Sequence, residues 1–272
     1  ILRQCLAAGD DWPGVNRLKE LRHPLTDHHW QWALNPAHGC HVPGPEFADC
    51  LRLHLGLPFL PGPAPCAACL GGTLSPSCGH ALRCAPGECT RGHNSVRDEL
   101  LTLASLADSH AALEPRGLIS DDLASRPADV LTSAALPGGC TAALDVGIMC
   151  PDSAGAGGDC CDAMARRKVH ERTPQFPLLE RQGIRYVPLT FSCYGRLHPD
   201  AVRAIDCLAL AASRRLGGAV TPRTLAHRAR ARISVRIWLR AAAMVRACLP
   251  PPPPEQSALA LGWDDVRGAA LG

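Results

Sequence analysis

Four soft ligands within nineteen residues, Cys66-x2-Cys69-x10-His80-x3-Cys84, constrain the fold of this chain more than any other feature. A Cys-x2-Cys turn lets two thiolates face one ion, and a tetrahedral Zn2+ then needs only two further ligands. Five cysteines (66, 69, 78, 84 and 89) and two histidines (80 and 93) crowd into 28 residues, while the other ten cysteines are scattered. Cys66, Cys69, His80 and Cys84 are the preferred zinc set, with Cys78, Cys89 and His93 as alternatives that spacing leaves open. The total of fifteen cysteines is odd, and no basic, apolar, small-residue leader pattern opens the chain. Both points favour a reducing, intracellular setting over a secreted disulfide scaffold.

A chain of 272 residues with 46% hydrophobic content can bury a sizeable core. Aromatic residues make up only 4%, so Ala, Leu and Val must fill that core. Gly and Pro, 25 of each, point to a folded centre with loose ends. The net charge is only +3, yet Lys19 and Lys168 are the sole lysines among 28 basic residues. GC-rich coding and a nucleic-acid role both account for that arginine bias. No apolar run approaches the roughly 18 residues needed to span a bilayer, so no membrane association is expected. Because the sequence begins at Ile1 with no Met before Met149, it reads as a piece of a longer polypeptide.

The predicted organisation is an N-terminal flank and linker (1–60), a Cys/His knuckle (61–95), an α/β domain (96–217), a basic amphipathic helix (218–249) and a Pro-rich flexible tail (250–272). Residues 1–45 show no sustained periodicity and receive no function. Phe47, Cys50, Leu51, Leu53 and Leu55 fit a short helix closed by Gly56. Ser95 reads as the capped start of the next helix, with Val96, Leu100, Leu103, Ala104, Ala107 and Ala111 along one stripe.

Two strands, 126–135 and 140–149, are joined by the turn Leu136-Pro137-Gly138-Gly139. Alternation along the second strand sets Asp145 on the face opposite Leu144, Val146 and Ile148. A hairpin of this kind could bring Asp129 and Asp145 together, and paired hard carboxylates suit a Mg2+ ion that must keep positions open for phosphate and water; the alternative is two strand-end aspartates in turns. The polar helix 162–170 brings Arg166, Arg167 and Lys168, cations able to stabilise charge at a scissile phosphate. A strand at 184–191 follows, then a helix opened by His198-Pro199-Asp200 and ended by Gly217. Thr221-Pro222 begins a last helix to about Cys248. Its arginines, Arg230 and Arg236 among them, either follow a phosphate backbone or form a merely solvated face.

Several ordered motifs carry a family resemblance. They are Glu46-Phe47, Leu51-Arg52-Leu53, Leu55-Gly56-Leu57-Pro58, Cys66-x2-Cys69, His80-Ala81-Leu82-x-Cys84 and His93-Asn94-x2-Arg97-Asp98. Glu114, Arg126-Pro127-Ala128-Asp129, Ala143-Leu144-Asp145-Val146 and Val187-Pro188-Leu189 continue the series. Together, over roughly residues 45–215, the chain resembles the C-terminal segment of non-LTR retrotransposon polyproteins, in which a zinc knuckle and a restriction-like endonuclease of the PD-(D/E)XK type follow the reverse transcriptase.

That resemblance implies an α/β, restriction-endonuclease-like core, a mixed sheet flanked by helices, preceded by the knuckle. It implies a magnesium-dependent DNA endonuclease that nicks its target so that the freed 3′ hydroxyl primes reverse transcription. Asp129 and Asp145 would bind the catalytic magnesium, with Glu114 as a third carboxylate. Lys168 would replace the motif lysine, because Asp145-Val146-Gly147 has glycine in its place. Arg91, His93, Asn94 and Arg97 would lie near the knuckle and contact DNA or orient the site. The partners implied are DNA, the element's RNA and a reverse transcriptase domain of the same polypeptide, in the nucleus. A catalytically inactive, zinc-containing nucleic-acid-binding remnant is the alternative. No Tyr-x-Asp-Asp polymerase motif is present, so copying of nucleic acid is not expected of this segment.

Overall fold

The computed structural model describes residues 14–33, 40–69, 71–118 and 126–251. Most of the expected Pro-rich tail, residues 252–272, and the first thirteen residues lie outside the described residues. The chain is α/β, built on a four-stranded mixed sheet and a separate two-stranded sheet.

The large sheet has the order β3 (Ala112–Leu113), β4 (Val130–Thr132), β5 (Thr141–Met149) and β6 (Ile184–Ser192). The first three run antiparallel, and β6 lies parallel to β5 with Leu144 opposite Val187 and Met149 opposite Ser192. A parallel pair needs a crossover, and α5 (Cys160–Arg172) with α6 (Phe176–Arg181) supplies it. Leu144 and Val146 of β5 enter a core with Val96, Leu100 and Leu103 of α4 (Pro86–Ala107) and with Ile205 and Leu208 of α7 (Pro199–Arg215). Gly147, on the other face, meets Met164 and Lys168 of α5. Helices thus cover both faces, and β5 is buried on both sides as a strand in such a layer must be.

The small sheet is the hairpin β1 (Ala64–Pro65) and β2 (Thr73–Leu74), followed by the short α3 (Ala81–Cys84). It packs in a second core with α2 (Gly44–Leu55), whose end is closed by Gly56 in the left-handed region at φ +69. Trp30, in a 3-10 turn at His29–Trp32, stacks on Trp238 at a ring distance of 4.7 Å in the same core. The long α8 (Pro222–Cys248) runs through both cores, giving Ile233 and Ile237 to the first and Trp238, Ala242 and Val245 to the second.

Two expectations change here. Ser95 is not a helix start: α4 begins at Pro86, and Ser95 Oγ instead donates to the Arg91 carbonyl at 2.8 Å. Proline is favourable in a first turn, so one continuous helix joins the knuckle to the sheet. The strand expected over 126–135 is only Val130–Thr132, and the two-residue β3, too short for a periodic signal, pairs on its outer side.

Residues 14–33 are fastened to the sheet domain. Arg196, 4% exposed, donates to Glu20 of α1 (Val15–Leu21) at 2.8 Å and binds both oxygens of Asp159 at 2.6 and 2.7 Å. Asp159 in turn caps α5 by accepting the Asp162 N–H at 3.0 Å. The buried guanidinium therefore locks the N-terminal segment to the helix that bears Lys168. Among the described residues, no helix is long and apolar enough to cross a membrane.

The end of α4 is fastened to β4 by Asp108. Its carboxylate accepts from the Ser133 N–H at 2.8 Å, the Ser133 hydroxyl at 2.9 Å, the Thr132 hydroxyl at 3.0 Å and the His110 N–H at 2.8 Å. Burial pushes the carboxyl up, but these donors outweigh it and hold its pKa down at about 2. A depressed folded-state value stabilises the fold above the unfolded value of about 3.9, and the contribution fades as pH falls toward the folded value. Asp108→Ala is expected to cost about 1–3 kcal/mol in urea unfolding at pH 7. The gap from the natural chain should narrow steadily below about pH 4.

Candidate metal centres

The hairpin β1–β2 and α3 bring the four predicted zinc ligands together. The ligand atoms of Cys66, Cys69, His80 and Cys84 all lie within 4.8 Å of one another. Cys66 Sγ is 3.6 Å from Cys84 Sγ, and Cys69 Sγ is 3.4 Å from His80 Nε2. A tetrahedral ion with Zn–S bonds of about 2.3 Å has S···S edges of about 3.8 Å, so these separations need little change to take a metal. The turn between the cysteines closes when Cys66 N–H donates to the Gly72 carbonyl at 2.9 Å. A Cβ at Gly72 would come within 2.5 Å of His80 Nε2 and 2.7 Å of Cys69 Sγ, so only glycine leaves the cluster its space. Hydrogen bonds from Cys84, His80 and the backbone of Gly71 hold the Cys69 thiol below its ordinary range, which favours the thiolate that a metal needs.

The alternatives fall elsewhere. Cys78 is buried with its thiol on the Pro76 carbonyl at 3.9 Å, Cys89 is exposed on α4, and His93 belongs to the second site. Cys248, at the end of α8, is a neighbour that spacing did not reveal: its carbonyl accepts from Ala67 N–H at 2.9 Å. Replacing Cys69 with Ser should reduce bound zinc from about one per chain to a small fraction, measured by elemental analysis after dialysis.

The second centre forms where α4, β4 and β5 meet. Because β4 begins only at Val130, β5 lacks a strand partner beyond Leu144 on that side, and the backbone N–H of Val146 points at an open edge. Asp129 fills the gap: its own N–H donates to the Leu144 carbonyl at 2.8 Å, and its Oδ2 accepts the Val146 N–H at 2.7 Å. The same oxygen meets His93 Nε2 at 3.0 Å. Burial raises the Asp129 carboxyl, but the His93 bond, the Val146 N–H and the charge of Lys168 outweigh it and leave the pKa lowered. The bond to Asp129 raises the His93 ring reciprocally, against the opposing effect of burial.

Asp145, 7% exposed, accepts Lys168 Nζ on Oδ1 at 2.6 Å and the Tyr186 hydroxyl on Oδ2 at 2.5 Å. Burial first, then the Asp145 charge, pushes the Tyr186 hydroxyl well above its ordinary range, so it stays a donor. Lys168 reaches across β5 because Gly147 has no side chain: a Cβ there would stand 2.7 Å from Lys168 Cε and 2.8 Å from Met164 Cγ. Ligand atoms of His93, Asp129 and Asp145 all lie within 4.8 Å of one another. Opposite ligands of a Mg2+ ion at 2.0–2.1 Å stand about 4.2 Å apart, and two carboxylates are the hard donors that such an ion selects.

Glu114 does not join this group. It stands beside it, where its N–H donates to the Asp129 carbonyl at 2.8 Å, and its carboxylate pairs with Arg97 and Arg126. The expected DNA-contacting residues are also largely engaged within the protein. Arg97 is committed to Glu114 and Asp98, Arg91 to Glu88, and Asn94 to His93 at 3.3 Å. On α8, Arg230 pairs with Asp206, while Arg232 and Arg236 share the buried Glu99 at 2.6 and 2.9 Å. Arg230, Arg232, Arg236, Arg240 and Arg246 of that helix thus each pair with an acid on a neighbouring helix.

Sequence reasoning missed Tyr186, since a lone tyrosine in a strand carries no pattern, and assigned His93 a role nearer the knuckle. The i,i+4 spacing of His93 and Arg97 placed both on one face of α4, a signal that becomes legible once α4 is known to start at Pro86. No family model matches the chain, and no curated protein matches it in sequence. Gly147→Ala should leave the fold intact, because the groups it meets are flexible side chains, but should displace the Lys168 ammonium from Asp145. The readout is Lys168 Nζ in an NMR spectrum or crystal structure of the variant.

Proposed function

We propose that this chain is a magnesium-dependent endonuclease of the restriction-like class, with a structural zinc knuckle. The observation that carries the reading is the joint placement of Asp129, just before β4, Asp145 of β5 and Lys168 of α5 around one point beside an open strand edge. The succession α4, β3, β4, β5, α5, β6 supports it. A helix, an antiparallel meander and a parallel strand reached over a helix, with acids at the start of the second strand and in the third, is the arrangement expected of a PD-(D/E)XK core. Gly147 stands where that motif carries lysine, and Lys168 delivers an ammonium to the same place from α5.

Asp129 and Asp145 would hold the ion, which supplies Lewis-acid polarisation of a phosphodiester and a lowered pKa for water. Asp129 is pre-set by the Val146 N–H, so its carboxylate needs no reorganisation to serve as a ligand. Lys168 is positioned to stabilise negative charge growing on the phosphate or to orient the attacking water. Tyr186 fixes the remaining oxygen of Asp145. His93 holds Asp129 by its ring nitrogen at the rim of the site, and that bond raises the pKa of the ring. DNA is the proposed substrate. Element RNA and a reverse transcriptase domain are the proposed partners, and the nucleus is the proposed place of action.

The test is nicking of supercoiled plasmid by zinc-loaded protein with Mg2+ and with EDTA. Activity should require Mg2+ and disappear in Asp129→Ala/Asp145→Ala, while Lys168→Ala should lower the rate about 10²–10³-fold. Equal nicking by the double variant would locate the activity elsewhere. A folded, zinc-loaded chain that never nicks would support the inactive binding remnant.

A further inference from the structure

Independently of the nuclease reading, we propose that Cys150 and Cys193 form a redox modification site, at which a small hydroperoxide converts the two thiols to a disulfide. The two residues directly follow β5 and β6. Met149 lies opposite Ser192 in the parallel ladder, and the ladder continues one step when Cys193 N–H donates to the Met149 carbonyl at 2.9 Å. Cys150 and Cys193 are therefore the next opposite pair. Opposite residues of neighbouring strands stand about 4.8 Å apart, inside the ~4.4–6.8 Å between Cα atoms that a disulfide spans. Both are free thiols, both belong to one packed cluster, and both line the same cavity of about 400 Å³.

The surroundings divide the roles. The Cys193 thiol, the Asp152 backbone N–H and the Arg83 charge hold the Cys150 thiol below its ordinary range against the effect of burial. Arg83 is fixed to the turn after β5 by donating to the Asp152 carbonyl at 2.5 Å. Burial, and then the Cys150 thiol, keep the Cys193 thiol well above its ordinary range. The thiolate is the nucleophile toward peroxide, and electropositive surroundings favour it. Cys150 supplies that thiolate, and Cys193 keeps its proton for the second step.

Access selects the oxidant. Cys150 and Cys193 are 4% and 6% exposed, too little for a bulky disulfide reagent. Exposed Cys89 and Thr90 of α4 line the same cavity, so it reaches the surface there for a molecule as small as hydrogen peroxide. The other buried thiols nearby are engaged: Cys160 donates to Glu20 Oε1 at 3.7 Å, and Cys161 to the Arg196 carbonyl at 3.9 Å. In the first step the Cys150 sulfur attacks one peroxide oxygen and the O–O bond breaks. Hydroxide leaves and takes up the proton that Cys150 had released, giving water and a sulfenic acid. The Cys193 sulfur then attacks the sulfenic sulfur, the S–O bond breaks and the S–S bond forms. The second hydroxide departs with the Cys193 proton as water, so two thiols have given two electrons to one peroxide.

The test treats zinc-loaded protein with hydrogen peroxide, denatures it in N-ethylmaleimide to block the remaining thiols, and cleaves before each aspartate for mass spectrometry. Cys150 is then the sole cysteine of residues 145–151 and Cys193 of residues 162–199, while residues 159–161 carry Cys160 and Cys161. The expected product is 145–151 joined to 162–199 and separated again by reductant. In Cys193→Ser the reaction should stop at a sulfenic acid on Cys150, which dimedone traps. In Cys150→Ser the oxidation of Cys193 should slow by about tenfold or more. N-ethylmaleimide on both peptides of the natural chain, after peroxide has already oxidised the exposed Cys89, would overturn the proposal. Joining of 162–199 to 159–161 in place of 145–151 would overturn it as well.

Discussion

The carboxylate oxygen Oδ2 of Asp129 accepts the backbone N–H of Val146 and faces the ring of His93, and through these two bonds it holds β4, β5 and α4 in register. The bond to Val146 exists because β4 is short. A longer strand would have satisfied that N–H with backbone, and the Asp129 side chain would have been left to solvent. An unpaired donor at a buried edge is expensive, so the open edge fixes the position of the acid. The remaining groups follow from that position: Asp145 lies one residue before Val146, Lys168 reaches it over Gly147, and Tyr186 approaches from the neighbouring strand.

Charge in this chain is spent mostly on assembly. Glu99 holds two arginines of α8, Arg196 joins α1 to the cap of α5, and Glu114 binds Arg97 and Arg126 close to the acidic site. Removing one member of such a buried pair leaves an uncompensated charge and costs more than the pair contributes. The arginine bias seen in the sequence therefore marks interhelical contacts at least as much as any nucleic-acid surface. With few aromatics to pack, the second core relies on Trp30 and Trp238 stacked where α8 crosses the N-terminal segment.

Much of this was legible in the chain. Helices with strong caps or clear stripes came out nearly to the residue: α7 behind His198-Pro199, and α8 from Thr221-Pro222 to Cys248. The Cys3His set able to hold a metal followed from Cys-x2-Cys spacing, and the pairing of Asp129 with Asp145 followed from a hairpin turn and an alternating strand. The start of α4 was missed because Ser95-Val96-Arg97-Asp98 imitates a cap inside a helix already begun at Pro86. The two-residue β3, Tyr186 and the Glu20–Arg196–Asp159 network have no local pattern, since contacts over long sequence separations are set by tertiary packing alone.

The central claim is that Asp129 and Asp145 converge on one divalent ion with Lys168 beside it. Its most direct measurement is the binding of Mn2+, a paramagnetic substitute for Mg2+, to zinc-loaded protein by electron paramagnetic resonance. One Mn2+ per chain, lost in Asp129→Asn/Asp145→Asn and retained in Cys89→Ser, is the result expected. Mn2+ binding that survives the double substitution, or no binding by the folded natural chain, would contradict it.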